Sequence, residues 1–162
     1  MQVLINLGPK GPKWNRQSRV LGDAIRYVLE GVVRVNQFYM RLHHVPSLYS
    51  SGVRYQEEPE GTVEEFATIP VVLKRKWGDC DDLAPWRCAE LRETGENAHI
   101  RIIWKKSRIT GRRMYHVVVR RADGTIEDPS ARLGMHTSSN SQPTAKAIAQ
   151  ARAAVIRGLF SR

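Results

Sequence analysis

Two runs rich in Ile, Val, Trp and Tyr, Ala98 to Ser107 and Arg113 to Arg121, are followed by Ala122-Asp123-Gly124. A third short run, Thr125 to Asp128, comes next and is stopped by Pro129. β-Branched and aromatic residues punctuated by Asp-Gly and closed by Pro predict an antiparallel meander. What precedes it reads mainly as helix. From Ser18 to Leu42 the residues Leu21, Ile25, Val28, Leu29, Val32, Val35, Tyr39 and Leu42 recur at helical spacing, with a possible break at Gly31. Asp79 to Glu93 predicts a second long helix: Asp79 can cap it, Asp82 stands three residues on, and Gly95 ends it. A shorter helix is expected within Val63 to Lys74, begun or bent by Pro70. Val3 to Asn6 suits a short first strand, and residues 43 to 66 an irregular excursion with short extended pieces. Helices followed by a meander make an α+β pattern. Residues 1–135 are expected to form one domain with a motif core at 76–130. The polar linker HTSSNSQP at 136–143 then leads to a C-terminal helical arm at 144–162.

The 162 residues carry 26 Lys plus Arg against 16 Asp plus Glu, a formal charge of +10. Two cysteines cannot staple such a chain, so a disulfide mini-protein is excluded. Long apolar runs argue against wholesale disorder. No stretch has the ~18–20 uninterrupted apolar residues that span a bilayer, so no membrane partner is expected. The opening MQVLINLGPKGPK lacks a basic region leading into an apolar core, so no secretion signal is expected. Charge is uneven: His99 to Arg121 holds eight Lys and Arg with no acid, whereas Gln56 to Phe66 holds five Glu with no base. The basic run suits a solvated hairpin face, or contact with an acidic polymer through Arg101–Arg121. No zinc-finger spacing or RNP-type aromatic motif accompanies it. Charge alone supports a non-enzymatic nucleic-acid-binding protein.

Chemistry concentrates at WGDCDDLAPWRCAEL. A cysteine in a first helical turn, here Cys80, meets free N–H groups and the positive end of the macrodipole, both of which favour thiolate. Its own N–H could also face an oxyanion. Asp79, Asp81 and Asp82 oppose the thiolate, so an imidazolium would have to outweigh them. His116, within Met114-Tyr115-His116-Val117-Val118-Val119, supplies a candidate imidazole, and Asp128 a candidate orienting carboxylate. The turn decides whether these two meet. A two-residue Asp123-Gly124 hairpin pairs Val119 with Asp128 and turns Asp128 away from His116. A three-residue loop, with Gly124 left-handed, pairs Val118 with Asp128 and brings it to the His116 face.

WGDCDDLA, a strand bearing YHVVV, a D-G turn and IEDPS together resemble the transglutaminase-like superfamily of papain-related cysteine enzymes. The match covers Lys76 to Ser130. VPSLYSSGVRYQEEP and DLAPWRCAEL are also similar to small transglutaminase-like proteins of tailed phages. The resemblance implies a nucleophile helix packed on the meander, with Cys80 as nucleophile, His116 as general base and acid, and Asp128 orienting the imidazole. It implies a cysteine peptidase or amidase working through a thioester on a peptide or carboxamide, including peptidoglycan-derived ones, without cofactor or metal. Asp79, Asp81 and Asp82 lack the loop spacing and glycine of an EF-hand. The alternative is a phage virion component of tail, neck or connector that uses the fold as an assembly module among virion subunits. The corresponding locations are the host bacterial cytoplasm or the virion.

Blander readings stand beside these. Cys88, about 12 Å from Cys80 along one helix, is too far for a disulfide and suits the core. Asp82 suits a cap, and Asp81 a solvated or loop-anchoring place. Trp77, Trp86 and Trp104 suit the core, with Trp77 nearest the cysteine in sequence. His43 and His44 suit a helix C-terminus. Tyr49 and Tyr55 are candidate oxyanion donors.

Overall fold

The computed structural model describes residues 18–58, 65–106 and 113–135. Helix α1, Ser18–Leu42, runs unbroken through Gly31. A 3₁₀ turn at Leu48–Ser50 and strand β1, Arg54–Tyr55, follow. Helix α2 is Ile69–Arg75, β2 is Trp77–Gly78, and α3 is Cys80–Glu93. Strands β3, His99–Lys106, β4, Arg113–Arg120, and β5, Ile126–Glu127, form an antiparallel sheet in the order β3-β4-β5. A one-turn helix α4, Pro129–Arg132, closes the described chain. The architecture is α+β, as the residue pattern predicts. The expected strand at Val3–Asn6, the linker at 136–143 and the arm at 144–162 lie outside the described residues.

Helix α3 is the centre. Ten of its 14 residues are buried, because apolar clusters flank it on two sides. One cluster joins Ile25, Leu29 and Val33 of α1 to Ala84, Cys88 and Ala89 of α3 and to Ile100, Val117 and Val119 of the sheet. The other gathers Leu48, Val53, Ile69 and Val72 against Leu83 and Trp86. Alternation explains the sheet's role: Val117 and Val119 share the face turned to α3, which leaves His116 and Val118 on the other.

The helix ends follow local chemistry. Asp79 and Asp82 form a capping box at the start of α3, in which the Asp79 N–H donates to Asp82 Oδ2 at 3.2 Å. At the other end Gly95 takes φ +86°, its N–H donating to Arg92 O at 3.0 Å. The Glu96 N–H donates to Leu91 O at 2.9 Å. These two bonds make a Schellman stop that a side chain with a Cβ would strain. Pro70 begins α2 rather than bending it. The fully buried Asn36 of α1 accepts the free Ile69 N–H through Oδ1 at 2.9 Å, tying the two helices together.

The excursion before α2 is more ordered than composition suggests. β1 lies parallel to β2, pairing Tyr55 with Gly78. Gln56 N–H donates to Gly78 O at 3.0 Å, and Tyr55 N–H to Leu133 O at 2.9 Å. Gly78 packs tightly, since a Cβ would stand 3.1 Å from that of Asp82 and push it aside. β1 is therefore held directly beside the start of α3.

Candidate cysteine–histidine site

The β4–β5 register settles the hairpin. Val119 pairs with Glu127 and Arg120 with Ile126, while Arg121 N–H donates to Thr125 O at 2.9 Å. That is the three-residue loop, with Gly124 left-handed at φ +86°. Asp123 firms the turn by accepting from the Thr125 N–H and hydroxyl, at 2.9 and 2.7 Å. Asp128 consequently lies on the His116 face, and its Oδ2 is 2.8 Å from His116 Nε2. Its other oxygen, Oδ1, accepts the Ala131 N–H at 3.1 Å and caps α4. Both carboxylate oxygens are thus committed, which fixes the rotamer. A carboxylate at Asp128 can only accept, so in this bond Nε2 is the donor and Nδ1 is the ring nitrogen left for a second partner.

Cys80 opens α3 and is half-buried against the first cluster; neither it nor Cys88 is in a disulfide. The start of α3 is tied to β4 through residues adjoining Cys80 and His116 in the chain. Tyr115 OH donates to Asp81 Oδ2 at 2.7 Å, joining the residue before His116 to the residue after Cys80. Asp81 is fully buried, so the solvated placement open to it in the sequence is incorrect. It anchors β4 because a carboxyl group at that depth needs a hydrogen-bond partner. Tyr115 in turn meets Trp104 edge-on, with ring centres 6.1 Å apart.

The acids around Cys80 are absorbed into structure. Asp82 Oδ1 accepts the Ala67 N–H at 2.7 Å, and Oδ2 is paired with Arg75. Burial first, and then the charge of Asp79, push the Asp82 carboxyl up to about 8, against the lowering pull of Arg75 and the two backbone amides. Asp79, Asp81 and Asp82 bring carboxylate oxygens within 4.8 Å of one another. Their contacts are those of a helix cap and two anchors. The Arg75 guanidinium also lies over the Trp77 ring at 3.9 Å, so Trp77 belongs to this same corner.

Of the two tyrosines, only Tyr55 stands by the cysteine. Burial raises its hydroxyl pKa first, and the charges of Glu57, Cys80 and Asp79 add to the rise. Its OH donates to Glu57 Oε1 at 3.3 Å. Tyr49 is not free to serve as an oxyanion donor, because its OH donates to Glu127 Oε1 at 2.5 Å. Glu127 also accepts from Arg87 at 2.7 Å and from Arg121 at 3.2 Å. Sequence reasoning passed over Glu127, though alternation with Asp128 already turns it toward α3.

The remaining candidates fall elsewhere. Cys88 and Trp86 are fully buried, and Trp104 is half-buried. His43 is exposed just past α1 and stacks on Tyr39 at 4.3 Å. In the basic run Arg101 and Arg120 are exposed, while Arg121 is paired with Glu96 at 2.6 Å. Grooves of about 380 and 350 Å³ between α1 and β3 include Arg26 and Arg101 in their walls but none of Cys80, His116 and Asp128.

No protein-family model, curated protein or solved structure matches the chain.

Proposed function

We propose that the protein is a transglutaminase-like cysteine peptidase or amidase with Cys80 as nucleophile, His116 as general base and acid, and Asp128 orienting the imidazole. The observation that carries this reading is the 2.8 Å His116–Asp128 bond on a hairpin whose register alone permits it. Position supports it further. Cys80 opens a 14-residue helix, and the Asp81–Tyr115 bond ties that helix start to β4, on whose other face His116 stands.

In this mechanism His116 Nδ1 takes the Cys80 proton, and the sulfur attacks the carbonyl carbon of a carboxamide or peptide. A C–S bond forms, and the carbonyl π electrons move onto oxygen. When they return, the C–N bond breaks and the imidazolium proton leaves with the amine. Water then attacks the thioester carbon as His116 accepts its proton: a C–O bond forms, the C–S bond breaks to release the carboxylic acid, and that same proton regenerates the thiol. Asp128 balances the imidazolium throughout. No metal or cofactor enters this scheme. An anionic substrate, peptidoglycan-derived peptides included, suits the exposed Arg101 and Arg120 on the same sheet.

The test is the rate of iodoacetamide labelling at Cys80 against pH, in the parent chain and in His116→Ala. A thiolate–imidazolium pair gives fast labelling near neutral pH that falls on the order of 10- to 100-fold in the variant. Equal, ordinary thiol rates in both proteins would sink the proposal. A second reading, the phage assembly module, draws support from one observation, the apolar residues that α1 presents outward.

A further inference from the structure

Helix α1 carries two apolar faces. Ile25, Leu29, Val32, Val33 and the buried Asn36 face α3 and the sheet. On the far side Val20, Tyr27, Val35, Phe38 and Leu42 are exposed, each between 53 and 71%. Gly31 stands in the middle of this second row with nothing within 4 Å of where a Cβ would be. With the half-buried Ala24, the row reads 20, 24, 27, 31, 35, 38, 42. At 100° per residue these seven positions share an arc of about 80°. A monomer gains nothing from so continuous an outward stripe on a 25-residue helix.

The spacing is 4-3-4 on each side of Gly31, so the stripe reads the same in both directions. A period of eleven residues over three turns also keeps it nearly straight along the helix, unlike a heptad seam that winds around it. We infer that this face binds a second copy of the same chain, α1 antiparallel to α1, with the two-fold axis at Gly31. Such an axis sets Val20 against Leu42, the small Ala24 against Phe38, and Tyr27 against Val35. Gly31 meets its own copy, where the missing side chain lets the backbones approach. An isologous contact requires this kind of self-complementarity.

Charge selects the same direction. One border of the stripe carries Asp23 and Glu30 before the centre, and Arg34 and Arg41 after it. Arg26 lies farther round the helix, where it is 3.6 Å from Asp23. A two-fold axis through Gly31 lays this border against its own reverse, so acid faces base: Asp23 by Arg41 and Glu30 by Arg34. Contacts with α3 hold two of these side chains along the border, since Arg41 donates to Glu93 at 2.8 Å and Arg92 to Glu30 at 2.8 Å. The stripe and its border therefore name one partner, the chain itself.

Sedimentation equilibrium of the full chain tests the inference. A micromolar dimer is expected, with its dissociation constant raised about 100-fold in Phe38→Glu, a change that touches both halves of the contact. Val71→Glu, at an exposed apolar residue of α2, leaves the dimer intact. In a Cys80→Ser background, Arg34→Cys, on the border beside the axis, joins two chains through a short bis-maleimide, and Val71→Cys does not. Circular dichroism confirms that each variant is folded. A full chain that stays monomeric at high concentration overturns the inference, as does a dimer that ignores Phe38→Glu. A monomer in which Phe38→Cys resists labelling also overturns it, and assigns the stripe to another stretch of the same chain.

Discussion

Cys80 and Cys88 lie on one helix, eight residues apart, and their surroundings have little in common. Cys80 sits in the first turn, half-buried, with three acids, an arginine and a tyrosine close by. Cys88 is fully buried in the cluster between α1, α3 and the sheet, with Arg92 and Glu30 nearby, and burial pushes its thiol up to about 12. The contrast teaches that helix position and solvation, not residue type, set the surroundings of a thiol. It also predicts where the molecule is sensitive.

The largest effect concerns labelling. Iodoacetamide on the native chain should modify Cys80 at least ~10³-fold faster than Cys88, because Cys88 is reached only by opening the core. Peptide mapping measures the ratio, and comparable rates would erase the contrast. The next concerns pH, which acts at the Cys80 end. The Asp82 carboxyl is raised from 3.8 to about 8, so the folded chain keeps a proton that the unfolded chain gives up across that window. Stability therefore falls as pH rises from about 4 toward 8. Glu127 is displaced the other way: burial raises it, but bonds from Arg87 and Tyr49 win, so its contribution is lost below about 4.5. Urea titrations should show a mildly acidic optimum, and Asp82→Asn should flatten its alkaline limb. An unchanged limb in that variant places the proton elsewhere.

Smaller effects sharpen the same comparison. Cys88→Ser puts a hydroxyl in the apolar cluster and should cost about 1–3 kcal/mol, whereas Cys80→Ser should cost under about 0.5 kcal/mol. Denaturant midpoints that agree for the two variants would contradict this. Tyr115→Phe removes the hydroxyl that meets Asp81 and should cost about 1–2 kcal/mol, while Val71→Ala, exposed on α2, should be nearly silent. Equal effects would show that the Tyr115–Asp81 bond does not hold β4 to α3.

Sequence reasoning went furthest where structure is local. The span of α1, the Asp79–Asp82 cap, the Gly95 stop and the left-handed Gly124 all follow from residues within a few positions of each other. The residues allow two hairpin registers, and only the pairing of Arg121 with Thr125 chooses between them. Long-range partners were not legible. Nothing near Asp81 in the chain points to Tyr115, 34 residues away, and nothing near Glu127 points to Tyr49, 78 residues away. Those pairings come from the packing of α3 between two clusters. The parallel contact of β1 with β2 escaped for the same reason, since two-residue strands leave no periodicity to read.

Asp128 does two jobs through one carboxylate, and that has a mechanical consequence. Oδ2 holds the imidazole while Oδ1 holds the first turn of α4. Leu133, just past α4, accepts the Tyr55 N–H, and Met135 N–H donates back to Ser130 O at 2.8 Å. A pull on the chain beyond Met135 thus acts through a single helical turn on the group that aims His116. Tension there would slacken the imidazole's tether and the β1 contact together, so the histidine is only as steady as the way the chain leaves the domain.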